Sequence, residues 1–332
     1  MSPRPRRRWR RTARTLACVS KVKEKLGDSV AVPFAASRRR VRRIRGDTAL
    51  AVLVLSPSLI AVAVFIYAFI LWTGYISLTR WNDVLPDYTF VGLLNFERLF
   101  SNDRFLIDLG NTALFTVLFL VESIVAGFLL AVFLDQKVRG EPFFRTIYLL
   151  PFAVSAIVTG VAWRWLMNPG SGLNLIFAKV GLGFIHSNWF ADPKFGIMAV
   201  TIAASWQMSG YVMALYLAGL RGIPAELREA AAIDGASSFA LYRYVVIPLL
   251  TPVTLTVIVI LGNIAVRLFD LTSAMTSSGP AYADDTPAFF MLQTTFQSNH
   301  FAMGAAIAMV MLVMSGCLIV PYLLGMRSEV ES

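Results

Sequence analysis

Six long apolar segments constrain this 332-residue chain more than any other feature of its sequence. Each is about 20 residues long or longer, which is the length that a helix needs to cross the hydrocarbon core of a bilayer. A soluble domain typically carries about 25% charged residues, whereas this chain has 15% charged and 57% hydrophobic residues. The sequence therefore predicts an all-α membrane protein with about six transmembrane helices. The six segments are residues 49–72, 109–134, 146–166, 195–220, 245–268 and 301–325.

Positive charge is concentrated before the first apolar segment. Residues 1–46 hold 16 of the 30 Lys and Arg residues and only two acidic ones, which gives this stretch a net charge of +14. We expect a tail over 1–47 that is disordered and helps to keep the N-terminus in the cytoplasm. Contact with anionic membrane lipid and an over-long predicted start are the alternatives. Nucleic-acid binding is not expected, because no nucleic-acid-binding fold fits these 46 residues.

The charged residues of the loops predict how the helices are oriented. Lys and Arg near helix ends remain on the cytoplasmic side of a membrane. The loops after the second and fourth segments carry such residues, among them Arg145 and Arg228, whereas residues 272–299 contain none. Six crossings then place both termini in the cytoplasm and residues 272–299 outside.

Residue types that bind metals or perform catalysis are sparse. Cys18 and Cys317 lie in different environments, and His186 and His300 lie in different polar loops, so neither a disulfide nor a metal site is expected. The sequence lacks a Gly-x-x-x-x-Gly-Lys-Ser/Thr phosphate loop, a nucleophile elbow and a dinucleotide fingerprint. We therefore expect no cofactor and no catalytic activity, and in particular no ATPase site.

The polar stretch 221–248, between the fourth and fifth segments, predicts two short helices joined by a glycine. Pro224 suits a first helical turn, where its missing N–H costs nothing. Gly235 is suited to end that helix, because glycine enters the left-handed conformation easily. Ser237 or Ser238 can then cap the second helix.

This stretch also carries a motif with fixed spacing. A Glu-Ala-Ala triplet is followed by an Asp-Gly pair and, after nine intervening residues, by a Val-x-Ile-Pro sequence. The pattern resembles the EAA loop of binding-protein-dependent ABC importer permeases, which usually has Ile and Leu where this chain has Val and Ile. The matching residues are Glu229, Ala230, Ala231, Asp234, Gly235, Val245, Ile247 and Pro248.

Other short matches resemble the carbohydrate branch of that family, the maltose/glycerol-phosphate type. One departure is local, because Ser277 and Ser278 stand where the family often has glycines. The matches are Leu150-Pro151, Trp163-Arg164-Trp165, Leu268-Phe269-Asp270 and Gly279-Pro280.

The resemblance implies a type I ABC importer transmembrane domain over 48–327, with a core at 108–325 and the coupling loop at 221–248. It implies that the loop docks on a cytoplasmic ABC ATPase and that a sugar crosses the cytoplasmic membrane of a prokaryote by alternating access. It also implies three kinds of partner: a second homologous permease, two ATPase copies and an extracytoplasmic solute-binding protein.

Polar side chains inside apolar segments are costly in a membrane and are therefore candidate solute-binding groups. Gln207 and Tyr211 are four residues apart in one segment, as are Asn263 and Arg267 in another. The resemblance implies sugar contacts on these two helices, where Trp206 and Tyr211 could offer aromatic faces. Hydrogen bonding between helices is the alternative for each residue.

Two further functions stay open from the sequence. The same architecture could carry a non-sugar solute such as a polyol phosphate or a polyamine. An ion-coupled secondary transporter would need paired ionisable residues at mid-membrane depth, where only Glu122 is clearly found.

Overall fold

A computed structural model describes residues 44–136, 138–184, 187–193 and 195–330. The predicted tail at 1–47 therefore lies almost wholly outside the described residues, as does His186. The chain divides into two compact units, residues 1–63 and residues 64–332. In the first unit the described structure is helix α1, Ile44–Val62.

The second unit is helical, and its described part contains one isolated β-bridge, between Thr79 and Phe90. Single π-helical turns at Tyr242–Val246 and Gln293–Gln297 interrupt the helical pattern. The α-helices are α2 Phe69–Ser77, α3 Leu94–Phe100, α4 Asp103–Asp135, α5 Glu141–Ala153, α6 Ala156–Leu166, α7 Leu173–Lys179, α8 Gly196–Gly222, α9 Ala225–Ile233, α10 Ser238–Leu241, α11 Ile247–Leu249, α12 Thr251–Val266, α13 Asp270–Met275, α14 Pro287–Leu292 and α15 Phe301–Val330.

Four described helices are long and apolar enough to cross a membrane: Val52–Ser77, Asp103–Asp135, Gly196–Gly222 and Phe301–Val320. Two further candidates are bent pairs, so the number of spans reaches six when each pair counts as one. This agrees with the sequence prediction of about six. The third and fifth spans are broken, however, where the sequence predicted continuous helices.

The third span bends by 96° between α5 and α6. Pro151 lies inside α5, where its ring removes one backbone hydrogen bond and crowds the preceding turn. Val154 then adopts an extended conformation, and the hydroxyl of Ser155 caps α6 by accepting from the N–H of Val158. The sequence Pro151 to Ser155 thus ends one helix and starts another.

The fifth span bends by 64° between Ser238–Leu249 and Thr251–Val266. Prolines stand on both sides of the break, at Pro248 and Pro252, and each lacks the N–H that a continuous helix would use. Leu250 lies at the break with ψ near 1°. The coupling-loop segment therefore meets α12 at an angle.

The core of the second unit forms around α8, which buries more than half of its residues. Two glycines allow close approach of its neighbours. A Cβ on Gly127 of α4 would lie 2.5 Å from Val212, and a Cβ on Gly210 would lie 1.8 Å from the carbonyl oxygen of Tyr148 in α5. Since such contacts are too short for any side chain, α4 and α5 pack directly on the backbone of α8.

The outer face of α4 is apolar and exposed. Four aliphatic side chains recur at every fourth position and therefore share one helical face. Each is more than half exposed: Val117, Val121, Val125 and Leu129. A face of this kind is stable against lipid or against another membrane helix.

Candidate functional site

The loop predicted from the motif is a helix–turn–helix made of α9 and α10. Gly235 has a φ of +76°, the left-handed conformation that the sequence predicted. The N–H of Ala236 donates to the carbonyl of Ala231 over 2.9 Å, and the N–H of Gly235 donates to that of Ala232 over 3.1 Å. This pair of hydrogen bonds closes the end of α9.

The second helix of the loop begins with a side-chain cap. The hydroxyl of Ser237 accepts from the N–H of Ala240 over 3.3 Å, which decides between the two serines that the sequence offered. Because α9 has a closed C-terminus and α10 a capped N-terminus, the turn between them has a defined shape without needing any partner.

The loop is exposed along most of its length. The motif residues Glu229, Asp234 and Gly235 are exposed. Two large apolar side chains beside them are also exposed, Ile233 to 86% and Phe239 to 78%. Exposed apolar groups surrounded by polar ones are typical of a surface that binds another protein.

The other motif residues take different positions. Ala230 is exposed, Ala231 is half-buried, and Pro248 is exposed on α11 at the bend of the fifth span. The alanines keep the backbone of α9 free of bulky side chains, so that a partner could approach it closely.

One ionic group joins the loop to the membrane helices. Arg228 of α9 donates to the carboxylate of Asp135 over 2.7 Å and to the carbonyl of Leu220 over 2.9 Å. Asp135 is the last residue of α4, and Leu220 lies in the last turn of α8. Sequence reasoning assigned Arg228 only to membrane orientation, because 93 residues separate it from Asp135.

The predicted solute-contact residues on α8 lie at the bend of the third span. Gln207 is buried, and its Nε2 donates to the carbonyl of Val154 over 2.7 Å. The ring of Tyr211 stacks on that of Phe152, with centroids 4.8 Å apart. Gln207 therefore compensates the carbonyl that the helix break leaves free, as polar side chains do inside membranes.

Tryptophans lie close to the same bend. The indole of Trp206 packs edge-on against that of Trp163 in α6, with centroids 5.8 Å apart. Trp206 remains 45% exposed. The bend therefore has aromatic rings from both α8 and the broken span.

The other two predicted solute-contact residues lie at the end of the fifth span. The guanidinium of Arg267 donates to the side-chain oxygen of Asn263 one turn earlier. Both residues line a cavity of about 390 Å³, whose wall also includes Met291 and Ser315. The contacts thus divide the four candidates into two pairs, one at the bend near Val154 and one in this cavity.

The segment between α13 and α14 is held to the first turn of α4. Arg104 forms an ion pair with Asp285 over 2.6 Å and donates to the side chain of Gln293 over 2.5 Å. Its guanidinium lies 4.6 Å from the ring centroids of both Tyr282 and Phe290. Asp285 is fully buried, so this pair is protected from solvent screening.

The two ion pairs mark opposite ends of α4. Arg104 lies in its first turn and Asp135 is its last residue. A helix of 33 residues is about 50 Å long at 1.5 Å per residue. The motif loop and the segment 276–286 therefore lie at opposite ends of a helix that is long enough to cross a membrane.

A second buried carboxyl lies in the same segment. Burial raises the pKa of Asp284 from 3.8 to about 6, and the nearby Asp285 adds to this effect. The backbone here is unusual as well, because Ser277 and Ser278 have φ values of 55° and 92°. These serines thus occupy conformations that glycine adopts more easily.

Comparison with known proteins agrees with this geometry. Residues 123–326 match the family of binding-protein-dependent transport system inner membrane components. The chain belongs to that family. It is therefore a multi-pass protein of the prokaryotic cytoplasmic membrane, and the matched region contains both the motif loop and the bend at Val154.

Two relatives are similar over most of their length. A probable ABC transporter permease of Pyrococcus horikoshii is 45% identical over 82% of this chain and 94% of its own. A xylose/arabinose import permease of Haloferax volcanii is 36% identical over 76% of this chain and 80% of its own.

A solved structure has the same fold. It is that of a bacterial ABC transporter involved in the import of the acidic polysaccharide alginate. The match has a TM-score of 0.70 at 19% identity and covers 85% of this chain and 97% of that one.

The turn at Gly235 of this permease gives a first prediction. A Cβ at this position would meet no atom within 4 Å, so substitution is opposed only by the positive φ. Gly235→Val should reshape the turn at a cost of about 1–2 kcal/mol, whereas Gly235→Asn should be tolerated because asparagine enters the left-handed region. Measured in the assembled transporter, ATP hydrolysis stimulated by loaded binding protein should fall in the valine variant only. Equal activity in both variants would show that this turn geometry does not matter.

Asp284 gives a prediction on pH. A folded-state pKa raised to about 6 means that the charged form disfavours the folded loop, by at most about 3 kcal/mol at neutral pH. The loop should therefore gain stability as the pH falls from about 6 towards 4. Hydrogen exchange at 276–286, corrected for intrinsic rates, should be slower at pH 5 than at pH 7.

The matched control for this experiment is Asp284→Asn. This variant cannot ionise, so its exchange should be slow at both pH values. The same pH dependence in the variant and the wild type would contradict the assignment of the effect to Asp284.

Proposed function

We propose that this chain is the channel-forming permease subunit of an ATP-driven, binding-protein-dependent importer of a sugar. The observation that supports this most directly is the exposed, closed turn α9–α10. It presents the Glu229–Gly235 motif together with the apolar side chains of Ile233 and Phe239. A folded surface of this kind, formed by α9 and by the start of the fifth span, is suited to bind a cytoplasmic protein.

The bound protein on this proposal is an ABC ATPase, present in two copies. The permease sequence has no phosphate loop of its own, so the partner would supply ATP hydrolysis. The permease would then be non-catalytic. Glu229 could pair with a basic or N–H donor of the ATPase, and Ala230, Ala231, Asp234, Gly235 and Pro248 would give the loop its shape.

The position of the loop also supports the proposed topology. If the end of α4 at Asp135 is cytoplasmic, its start at Arg104 and the segment 276–286 are extracytoplasmic. Both termini are then cytoplasmic. The extracytoplasmic segment would face the solute-binding protein, and the exposed face of α4 or a similar surface would pack against a second, homologous permease or against lipid.

The domain limits follow from the same assignment. We propose a permease domain over 48–327, a core over 108–325 and a coupling loop over 221–248, preceded by the tail. The family match at 123–326 lies inside this domain.

A sugar is the solute that best fits the residues near the two polar sites. Planar amides donate and accept hydrogen bonds with hydroxyl groups, and aromatic rings cover the apolar faces of sugar rings. Tyr211, Trp206 and Trp163 supply rings at the bend, and Asn263 with Arg267 supplies polar groups in the cavity. The relative from Haloferax volcanii is named for xylose and arabinose, which agrees with this solute class.

Gln207 has a narrower part in this proposal. Its buried amide already donates to Val154, so it holds the bend at which Tyr211 lies. It would act on the solute by fixing the shape of the bend and through those side-chain amide groups that the bond to Val154 does not use. Tyr211 and Asn263 are the stronger candidates for direct contact.

The test is uptake by the assembled transporter in liposomes. With its ATPase, second permease and binding protein, the wild type should import at least one of radiolabelled xylose, arabinose or maltose when ATP is present. Tyr211→Ala and Asn263→Ala should each lower uptake several-fold, because a polar site loses affinity when hydrogen-bonding or stacking groups are missing. ATP hydrolysis and the amount of complex should change little.

Tyr67→Ala is the matched control, since this tyrosine is 63% exposed and lies outside both polar sites and outside the coupling loop. Its uptake should equal that of the wild type. Unchanged uptake per complex in both Tyr211→Ala and Asn263→Ala would assign these residues to packing. ATP-independent uptake, or uptake that follows an ion gradient, would overturn the importer assignment itself.

A further inference from the structure

Arg228 connects three helices through a single guanidinium. It lies on α9, donates through Nη1 to the carboxylate of Asp135 at the end of α4, and donates through Nη2 to the carbonyl of Leu220 near the end of α8. The carbonyls in the last turn of a helix have no partner further along that helix. They also form the negative end of the helix dipole, which favours a cation.

The contacts of Arg228 differ from those of the other side chains of α9. Within the described ranges, no other side chain of Ala225–Ile233 makes a hydrogen bond or ion pair with a membrane-spanning helix. The remaining charged groups of the helix, Glu226 and Glu229, are exposed. The polar attachment of α9 to the helix bundle therefore depends on Arg228.

The contact is also partly buried. The side chain of Arg228 is 31% exposed and that of Asp135 is 10% exposed. Removing one partner of such a pair leaves the other charge uncompensated in a partly dehydrated environment. The free-energy cost of this is larger than the stabilisation that an exposed ion pair provides. The fork of the guanidinium serves two acceptors at once, which the single ammonium of a lysine does with poorer geometry.

The position of this contact has a consequence for transport. Leu220 lies on the same continuous helix as Gln207 and Tyr211, and α4 packs on α8 through Gly127. A displacement of α9 therefore reaches the bend at Val154 through α8 only if α9 and α8 move together. We propose that Arg228 is a positioning residue that couples the movement of α9 to α4 and α8, so that ATP hydrolysis is converted into solute movement.

This inference rests on the proposed function, because it assumes that an ATPase moves α9. The chain offers a matched control in the ion pair between Arg221 and Glu141, which is 2.6 Å long. That pair joins the end of α8 to the start of α5 and does not involve α9. Breaking it removes an ion pair at the same face of the protein without detaching the coupling helix.

The experiment measures the number of solute molecules imported per ATP hydrolysed by the complete transporter in liposomes. The solute is radiolabelled xylose, arabinose or maltose, whichever the wild type imports. Arg228→Ala should assemble with the ATPase and hydrolyse ATP, but this ratio should fall by about tenfold, within the usual range of coupling between sites. In Arg228→Lys the ratio should fall less than in Arg228→Ala, because lysine keeps the positive charge although it lacks the forked guanidinium. Glu141→Ala breaks the Arg221–Glu141 pair from outside the coupling loop and should keep the wild-type ratio.

A charge exchange tests the contact of residue 228 with residue 135 separately from its contact with Leu220. Arg228→Asp combined with Asp135→Arg restores an ion pair between α9 and α4 but not the contact with Leu220. The double variant should therefore recover part of the ratio that each single variant loses.

Three results would overturn the proposal: an unchanged ratio in Arg228→Ala, an equal fall in Glu141→Ala, or failure of both Arg228→Ala and Arg228→Lys to assemble with the ATPase. The last result would make Arg228 a folding or docking residue. Failure of the proposed function is distinguishable, because the wild type itself would then show no ATP-dependent import and no ratio could be defined.

Discussion

Helix α4 carries an ion pair at each end, and the rest of the structure is arranged along it. Its first turn is joined through Arg104 to Asp285, and its last residue, Asp135, is joined to Arg228. Between these points Gly127 lets it lie directly on the backbone of α8. Because interiors packed this closely deform little, α4 and α8 are suited to move as one body. Events at the motif loop and at the segment 276–286 can then influence each other over the length of a membrane span.

The absence of water from a bilayer explains why the spans break where they do. A helix interrupted by proline inside a membrane leaves a backbone carbonyl that only protein can satisfy. In the third span that carbonyl belongs to Val154, and the amide of Gln207 satisfies it. The position of Gln207, whose polar side chain is costly inside a membrane, is thus explained by its hydrogen bond to Val154. The bend brings Phe152, Trp163 and the aromatic residues of α8 to one place, which a straight helix would not do.

Local features of the sequence predicted a large part of this fold. Length and apolarity predicted the spans, and Gly235 with the adjacent serines Ser237 and Ser238 predicted the helix–turn–helix, because a turn and a cap depend on nearby residues. Pro224, expected in the first turn, lies one residue earlier, at the N-cap of α9. The long-range contacts had no such signal: 53 residues separate Gln207 from Val154 and 181 separate Arg104 from Asp285. The departure at Ser277 and Ser278 was visible in the sequence, but only the backbone shows that the left-handed conformation is kept without glycine. The division of the candidate solute residues into two pairs likewise depends on tertiary packing.

The central claim is that the exposed turn at α9–α10 is the surface that binds the ATPase. Ile233 and Phe184 are both highly exposed, at 86% and 81%, and they lie on different loops. Alkylation rates of Ile233→Cys and Phe184→Cys, in a background without Cys18 and Cys317, can be compared for the permease pair alone and for the pair with its ATPase. We predict that the ATPase slows alkylation at position 233 by about tenfold or more, as for a residue buried at an interface, and leaves position 184 unchanged. An unchanged rate at position 233 in a complex that contains the ATPase would contradict the claim.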